Sequence, residues 1–299
     1  MAAQGLPAPV DDLTRRLAGM SAVTGLEQQL VDSLLSLLPG SVRDRAGNAV
    51  LSLGTGDSRR LAVCPLDEPG YVVGQVRADG YLTLRRSPGK PSSRRDAQLE
   101  GQRVSIWTPG GVVPGVVAVR SIHLTRGRDV APGGFTVDSG LVDIGAGSGA
   151  EVESIGVRPL APVTLYKRPH RYGRDLVAAP VAGRRAACAA LLVAARRAAA
   201  EQGRIPRRQS IVIAFVVEQE LSGRGLGTIA NSMGPFEETV VVDGAGDGDV
   251  GVADQWPSLG RVTVKSLPVR YPGTPVETVA LPDAERLAAE LVAWIGGSP

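Results

Sequence analysis

Residues 210–217 read Ser-Ile-Val-Ile-Ala-Phe-Val-Val, an uncharged run rich in β-branched side chains. Its length and composition are those of a buried β-strand. The run stops abruptly at Glu218-Gln219-Glu220-Leu221-Ser222-Gly223-Arg224-Gly225, a stretch of acids, an amide and glycines. In an open α/β sheet the carboxyl ends of such strands are where ligands and catalytic groups gather. A core sheet, with a polar crevice at one end of its strands, is therefore the first expectation.

The flanking sequence supplies helices for that sheet. Leu13 to Met20 and Leu26 to Leu38 carry amphipathic spacing, the second bounded by Thr24-Gly25 and Pro39-Gly40. Pro180 to Gln202 reads as an alanine-rich helix, and Asp283 to Ile295 as a C-terminal helix with acids in its first turn. Strands are expected at Ala49 to Leu53, Arg60 to Cys64, Tyr71 to Val76, Glu238 to Asp243 and Arg261 to Ser266. Between them lies a different texture. Tyr81 to Arg86, Arg103 to Thr108, Val112 to Arg120, Leu141 to Ile144 and Pro162 to Lys167 are short strands separated by Gly, Pro and Ser turns. Such spacing suggests a small barrel or sandwich. The expected organisation is an α/β domain split in sequence, residues 1–76 and 174–299, around a β-rich insert at 77–173.

Composition narrows the function classes. An apolar fraction of 43% with 21% charged residues suits a water-soluble core-bearing protein. The net charge of +3 is small, and aromatics make up only 4%. The arginine clusters at Arg85-Arg86, Arg94-Arg95, 168–174 and 204–208 thus read as solvated loops, not as a nucleic-acid surface. The stretch Ala186 to Ala200 is interrupted by Arg196-Arg197 and is too short to span a bilayer, so no membrane is expected. The first residues carry no basic and apolar leader pattern, and the two cysteines, Cys64 and Cys188, read as small buried hydrophobes in a reduced, cytoplasmic setting.

Five short motifs occur in a telling order. They are Ser21-Ala22-Val23-Thr24-Gly25-Leu26-Glu27, Asp44-Arg45-Ala46-Gly47-Asn48, the segment 64–71 (Cys-Pro-Leu-Asp-Glu-Pro-Gly-Tyr), Val142-Asp143-Ile144-Gly145-Ala146 and the segment 270–277 (Arg-Tyr-Pro-Gly-Thr-Pro-Val-Glu). With Gln219-Glu220 they resemble, across nearly the whole chain, the motifs of the glutamyl-aminopeptidase and tetrahedral-aminopeptidase family of dinuclear-zinc metallopeptidases. The resemblance implies a zinc-aminopeptidase-like α/β fold of the phosphorylase/hydrolase-like kind, a mixed sheet sandwiched by helices. It also implies that the insert is a small β-barrel that drives dimerisation, with a dodecamer as the larger possibility.

The same resemblance assigns roles residue by residue. In the family two zinc ions share a bridging aspartate, histidines complete the ligand set, and the first glutamate of a Glu-Glu pair is the general base. Here the first histidine falls on Pro65, the bridging aspartate on Ala182, the base on Gln219 and the last histidine on Gly273. Glu220 and Asp243 keep ligand-type side chains, and Asp67 stands where the family orients its first histidine. A carboxamide accepts no proton from water, and proline, alanine and glycine side chains offer no metal donor. Asp67, Gln219, Glu220 and Asp243 are therefore vestigial, with no metal and no cofactor expected. The acids Glu220 and Asp243 read as strand-end residues in a solvated crevice. The reading that follows is an inactive or strongly impaired homologue acting as a binding, scaffold or regulatory subunit. Its candidate partners are a second copy, an active paralogue, or a peptide or small molecule in the cleft. The alternative is an enzyme with a site rebuilt around Asp67, Glu220 and Asp243, holding zinc or another divalent metal. Moving the base to Glu218 would leave Pro65, Ala182 and Gly273 unexplained.

The remaining candidates read as ordinary structure. The acidic glycine-rich loop 243–249 lacks EF-hand spacing, and Gly223-Arg224-Gly225-Leu226-Gly227 lacks the Lys-Ser/Thr of a phosphate loop. His123 and His170 fall on no ligand position, and Ser139 and Ser222 have no His/Asp pattern beside them.

Overall fold

The computed structural model describes residues 9–87, 93–118, 135–201, 205–244 and 255–297. Contacts divide the chain into two compact units, Met1–Asp67 with Arg168–Pro299, and Glu68–Lys167.

The first unit begins with helices α1 (Val10–Ala18) and α2 (Gln28–Leu37) and strands β1 (Val42–Arg43), β2 (Ala49–Gly54) and β3 (Ser58–Pro65). The second unit contributes β4 (Tyr71–Val76), β5 (Leu82–Arg86), the short α3 (Ser93–Ala97), β6 (Arg103–Thr108), β7 (Gly111–Val117), β8 (Leu141–Asp143), α4 (Gly149–Ser154) and β9 (Pro162–Leu165). The chain then returns to the first unit with β10 (His170–Tyr172), β11 (Leu176–Ala178), α5 (Ala182–Ala200), β12 (Gln209–Val216), α6 (Arg224–Met233), β13 (Glu238–Gly244), β14 (Arg261–Leu267), β15 (Val269–Arg270), β16 (Thr278–Ala280) and α7 (Leu281–Ile295).

The expected buried strand is β12. It is central in a six-stranded sheet ordered β1-β2-β12-β3-β13-β14. It runs parallel to β3 and antiparallel to β2, and β3, β13 and β14 are mutually parallel, so the sheet is mixed. Because successive side chains alternate between faces, Ile211, Ile213 and Phe215 enter one core with α1, α2, α5 and α7. Val212, Ala214 and Val216 enter a second core with Leu226, Ile229 and Ala230 of α6. Helices thus cover both faces, and each fully buried Ile or Val side chain contributes about 1.5–3 kcal/mol of burial. The alanines of α5, among them Ala186, Ala187, Ala190 and Ala194, are fully buried and let α1 and α7 pack closely against it. A second, four-stranded sheet is ordered β10-β11-β16-β15.

In the other unit, β4, β5, β8, β7, β6 and β9 form a closed barrel. Val73, Leu82, Val104, Ile106, Val142 and Val163 fill it. Among the described residues, closure leaves no strand edge to pair with another chain. The barrel includes β4, which the expected boundaries of 77–173 leave in the α/β domain, while 168–173 belong to the α/β unit. The expected strand tail at 119–120 and the last helical residue at 202 lie outside the described residues.

Some elements had no clear periodicity to announce them. Helix α6 is one: its few large apolar residues lie among glycines, Ser and Thr, and Leu226, Ile229 and Ala230 pack with Val212, Ala214 and Val216 in the second core. The short strands of the four-stranded sheet are others. Among the described residues no helix is long and apolar enough to cross a membrane.

One expectation is overturned outright. Cys64 and Cys188 are not free hydrophobes: they form a disulfide across Cα atoms 5.5 Å apart, a spacing typical of such bridges. Their separation of 124 residues in sequence gave no hint of this. Only the docking of α5 on the end of β3 brings them together, and the reduced setting inferred from them loses that support.

Candidate functional site

The parallel strands β3, β12 and β13 end side by side, as their registers require. Asp67 follows β3, the loop 218–223 follows β12, and Asp243 is the penultimate residue of β13. The N-terminus of α5 meets this edge. Gly183 and Gly244 make the approach possible: a Cβ on Gly183 would sit 2.9 Å from the Gly244 Cα and 2.5 Å from Val269. Glu277 fixes the junction, its Oε1 accepting from the Gly183 N–H at 2.8 Å and its Oε2 from the Gly273 N–H at 2.9 Å.

Arg184 projects from that first helical turn into the middle of the site. Its Nε and Nη2 donate to the two carboxylate oxygens of Asp243, both at 3.0 Å. Nη1 donates to Glu220 Oε1 at 3.2 Å and to the Asp67 carbonyl oxygen. Burial alone would lower the arginine's pKa, but the charges and hydrogen bonds of Asp243, then Asp67 and Glu220, hold it above the ordinary value. The side chain stays a cation. Arg185 beside it is fully buried and donates to the Leu66 carbonyl oxygen.

Asp67 has no exposure at all, and its carboxylate serves the backbone. Oδ1 accepts from the Gln219 N–H at 3.0 Å, and Oδ2 accepts from the Glu220 N–H at 2.8 Å and the Thr24 hydroxyl at 3.1 Å. Burial raises its pKa, against the opposing pull of Arg184 and those N–H groups. Glu27 does the same work one residue earlier, its Oε1 accepting from the N–H groups of Glu218 at 3.0 Å and Gly25 at 2.9 Å. Burial pushes the Glu27 carboxyl up to about 7. Asn48 completes the support: Oδ1 accepts from the Val217 N–H at 3.0 Å and Nδ2 donates to the Gly225 carbonyl at 2.9 Å. Three buried polar side chains therefore hold the loop after β12, where Glu218 sits at φ +56°. Glu218 itself pairs with Arg224. The Gln219 side-chain oxygen is buried with no hydrogen-bond partner among the described residues.

The structure thus brings together Asp67, Gln219, Glu220 and Asp243, the four residues singled out in the sequence. It corrects their surroundings. Asp243 and Glu220 do not stand as solvated acids; Arg184 binds both. Sequence reasoning missed Arg184, and it quoted Glu27, Asn48 and Glu277 within motifs without giving them tasks. One signal was available: Arg184 and Arg185 fall in the first turn of α5, where the helix dipole disfavours cations. Two arginines placed there need acceptors from elsewhere in the fold.

The donor set does not fit a dinuclear metal centre. Both oxygens of Asp67 are committed to protein donors and Asp243 is held in a two-pronged guanidinium pair. Pro65, Ala182 and Gly273 bring no ligand atom. Among the described residues no three His, Cys, Asp or Glu side chains converge as a metal site requires. His170 is exposed on β10, stacked with Tyr172 at 6.0 Å. Ser139 spends its hydroxyl on Thr136. His123 and residues 245–249 of the glycine-rich loop lie outside the described residues.

The fold is similar to that of the TET1 peptidase of Pyrococcus horikoshii, with a TM-score of 0.81 at 20% identity over 96% of this chain and 99% of that one. It is similar also to a TET aminopeptidase from the marine sediment archaeon Thaumarchaeota archaeon SCGC AB-539-E09, with a TM-score of 0.78 at 20% identity over 96% of each chain. In sequence the chain is 30% identical over 247 residues to the FrvX aminopeptidase homologue of Escherichia coli (strain K12), covering 80% of this chain and 65% of that protein. It is 28% identical over 152 residues to the lysyl aminopeptidase of Pyrococcus furiosus, covering 49% of this chain and 43% of that protein. The chain therefore spans less than two thirds of the length of these curated relatives. The model of the M42 glutamyl aminopeptidases matches residues 47–287, from the turn before β2 into α7. That match spans most of the chain: the chain belongs to the M42 glutamyl aminopeptidase family.

Proposed function

We propose that this chain is a catalytically inactive or strongly impaired member of its family, serving as a binding, scaffold or regulatory subunit. One observation carries the reading. A protein guanidinium bonds Asp243, Glu220 and the Asp67 backbone at the point where the family's metal-dependent chemistry calls for cations. Gln219 adds to it, since an amide does not take a proton from an attacking water. A site rebuilt around Asp67, Glu220 and Asp243 would first have to strip these acids of their present donors. The test is release of amino acid from aminoacyl p-nitroanilides by the purified full chain, with zinc or cobalt added. No turnover above buffer is expected; turnover that disappears in Glu220→Ala/Asp243→Ala overturns the reading.

Self-association through the barrel is part of the proposal. The TET1 peptidase of Pyrococcus horikoshii assembles into a tetrahedron or a large octahedral shell. On this barrel Val112, Val116 and Tyr166 are 48%, 47% and 38% exposed, apolar surface that a second copy would cover. Light scattering should give at least a dimer, and Val116→Lys should shift it toward monomer. A cytoplasmic setting no longer draws support from the cysteines; thiol titration of protein extracted from cells with trapped redox state tests it.

A further inference from the structure

The charge pattern at the start of α5 runs against what a helix by itself prefers. Partial positive charge collects at a helix N-terminus, yet Arg184 and Arg185 stand in the first turn and the first turn holds no acid. Their compensation comes from three other segments. Both oxygens of Asp243 meet Nε and Nη2 at 3.0 Å, and Nη1 is shared by Glu220 and the Asp67 carbonyl. Glu277 clamps Gly183, so the arginine's own backbone is fixed from the side. A planar fork set edge-on to a carboxylate is what a guanidinium provides and an ammonium does not.

We infer that Arg184 is the resident cation of this cleft. Its guanidinium offsets part of the charge of Asp243 and Glu220 and gathers the strand ends, as bound metal ions would in a metallopeptidase, so the edge of the sheet is held with no divalent ion. The inference rests on the reading that the chain carries no dinuclear centre. It goes further in making one side chain responsible for the integrity of the site. Removal of that side chain takes from Asp243 and Glu220 the cation they share and leaves a space shaped for a guanidinium.

Thermal unfolding of the full chain and of Arg184→Ala tests this, each after dialysis against EDTA and each with zinc chloride added. The native midpoint should move by no more than about 1 °C with either addition, since on this inference the cleft takes up no metal. Arg184→Ala should lose roughly 5–10 °C, as expected when one partner of a buried charge network is removed. Millimolar methylguanidinium should recover a substantial part of that loss, and tetramethylammonium, which has charge but no N–H, should recover none. Should Arg184→Ala not fold, Arg184→Lys and Arg184→Met serve in its place: lysine should be the more stable of the two, and both should fall below native. Near-stoichiometric metal in the native protein, a native midpoint that drops on chelation, an Arg184→Ala midpoint equal to native, equal effects of the two organic cations, or equal midpoints for the lysine and methionine variants would each overturn the inference. Amino-acid release by metal-free native protein would instead defeat the proposed inactivity and leave Arg184 in its assigned place.

Discussion

The two ends of the same strands obey different rules. Through their bodies β3, β12 and β13 are apolar: Leu61 to Val63, Ile211 to Val216 and Val240 to Val242 are buried among other hydrocarbon side chains. At their carboxyl ends the same strands deliver Asp67, Glu218, Glu220 and Asp243 into a buried or half-buried setting. Burial of a strand body is non-directional and tolerates imperfect partners. Burial of the carboxylates succeeds only where a specific donor reaches each oxygen. The strand bodies therefore specify a fold shared with peptidases at about 20% identity. The strand ends specify what this particular chain can do.

Substitutions at the two ends should differ in size and in kind. The largest effect belongs to the staple at the end of β3. Replacing both Cys64 and Cys188 by alanine removes a cross-link between residues 124 apart and should cost about 5 kcal/mol in urea unfolding, on the loop-closure view of disulfides. A change under about 1 kcal/mol would mean that docking of α5 needs no staple. Next comes Asp67→Asn, which forces an amide NH2 or a weaker acceptor onto two backbone N–H groups. A loss of about 3 kcal/mol is expected, with earlier proteolysis in the 218–223 loop as a local readout.

Glu27 sharpens the contrast through pH. Its folded carboxyl titrates near 7 against an ordinary 4.5, so the fold holds the proton more tightly than the unfolded chain does. The stabilisation is fully present below pH 4.5 and is lost as pH rises through 7, by on the order of 2–3 kcal/mol from this group. Asp67 and Glu277 are raised by burial as well and tilt stability the same way. Midpoints measured from pH 4.5 to 8 should fall with pH, and Glu27→Gln should flatten the slope. A slope unchanged in that variant removes Glu27 from the account. The smallest effect should come from a strand body: Ile213→Val deletes one buried methylene at a cost of about 1 kcal/mol, with no pH dependence. If Ile213→Val cost as much as Asp67→Asn, the contrast between bodies and ends would fail.

Much of this was legible before any coordinates. The apolar run at 210–217, the amphipathic spacing of the first helices and the evenly placed short strands each reflect burial, which a residue carries with it from sequence to fold. The four residues singled out around the crevice lie together because each stands at the end of a parallel strand or follows one. The fate of the acids was not legible. Asp67 and Gln219 are 152 positions apart and Arg184 and Asp243 are 59 apart, separations over which no periodicity speaks. Arg184 was visible only as a local misfit, a basic residue in the first turn of a helix. The disulfide was invisible for the same reason of distance.

The amino-acid order by itself determined the α/β scaffold, an insert of short strands and the side chains that stand at Pro65, Ala182, Gln219 and Gly273, since hydrophobic period and side-chain chemistry are properties of residues taken singly or in short runs. Which cation meets Asp243, what Asp67 holds in place and whether two distant sulfurs join were decided by tertiary structure alone. Those outcomes depend on directional contacts a few ångströms long, and only the packing of α5 against the ends of β3 and β13 supplies them.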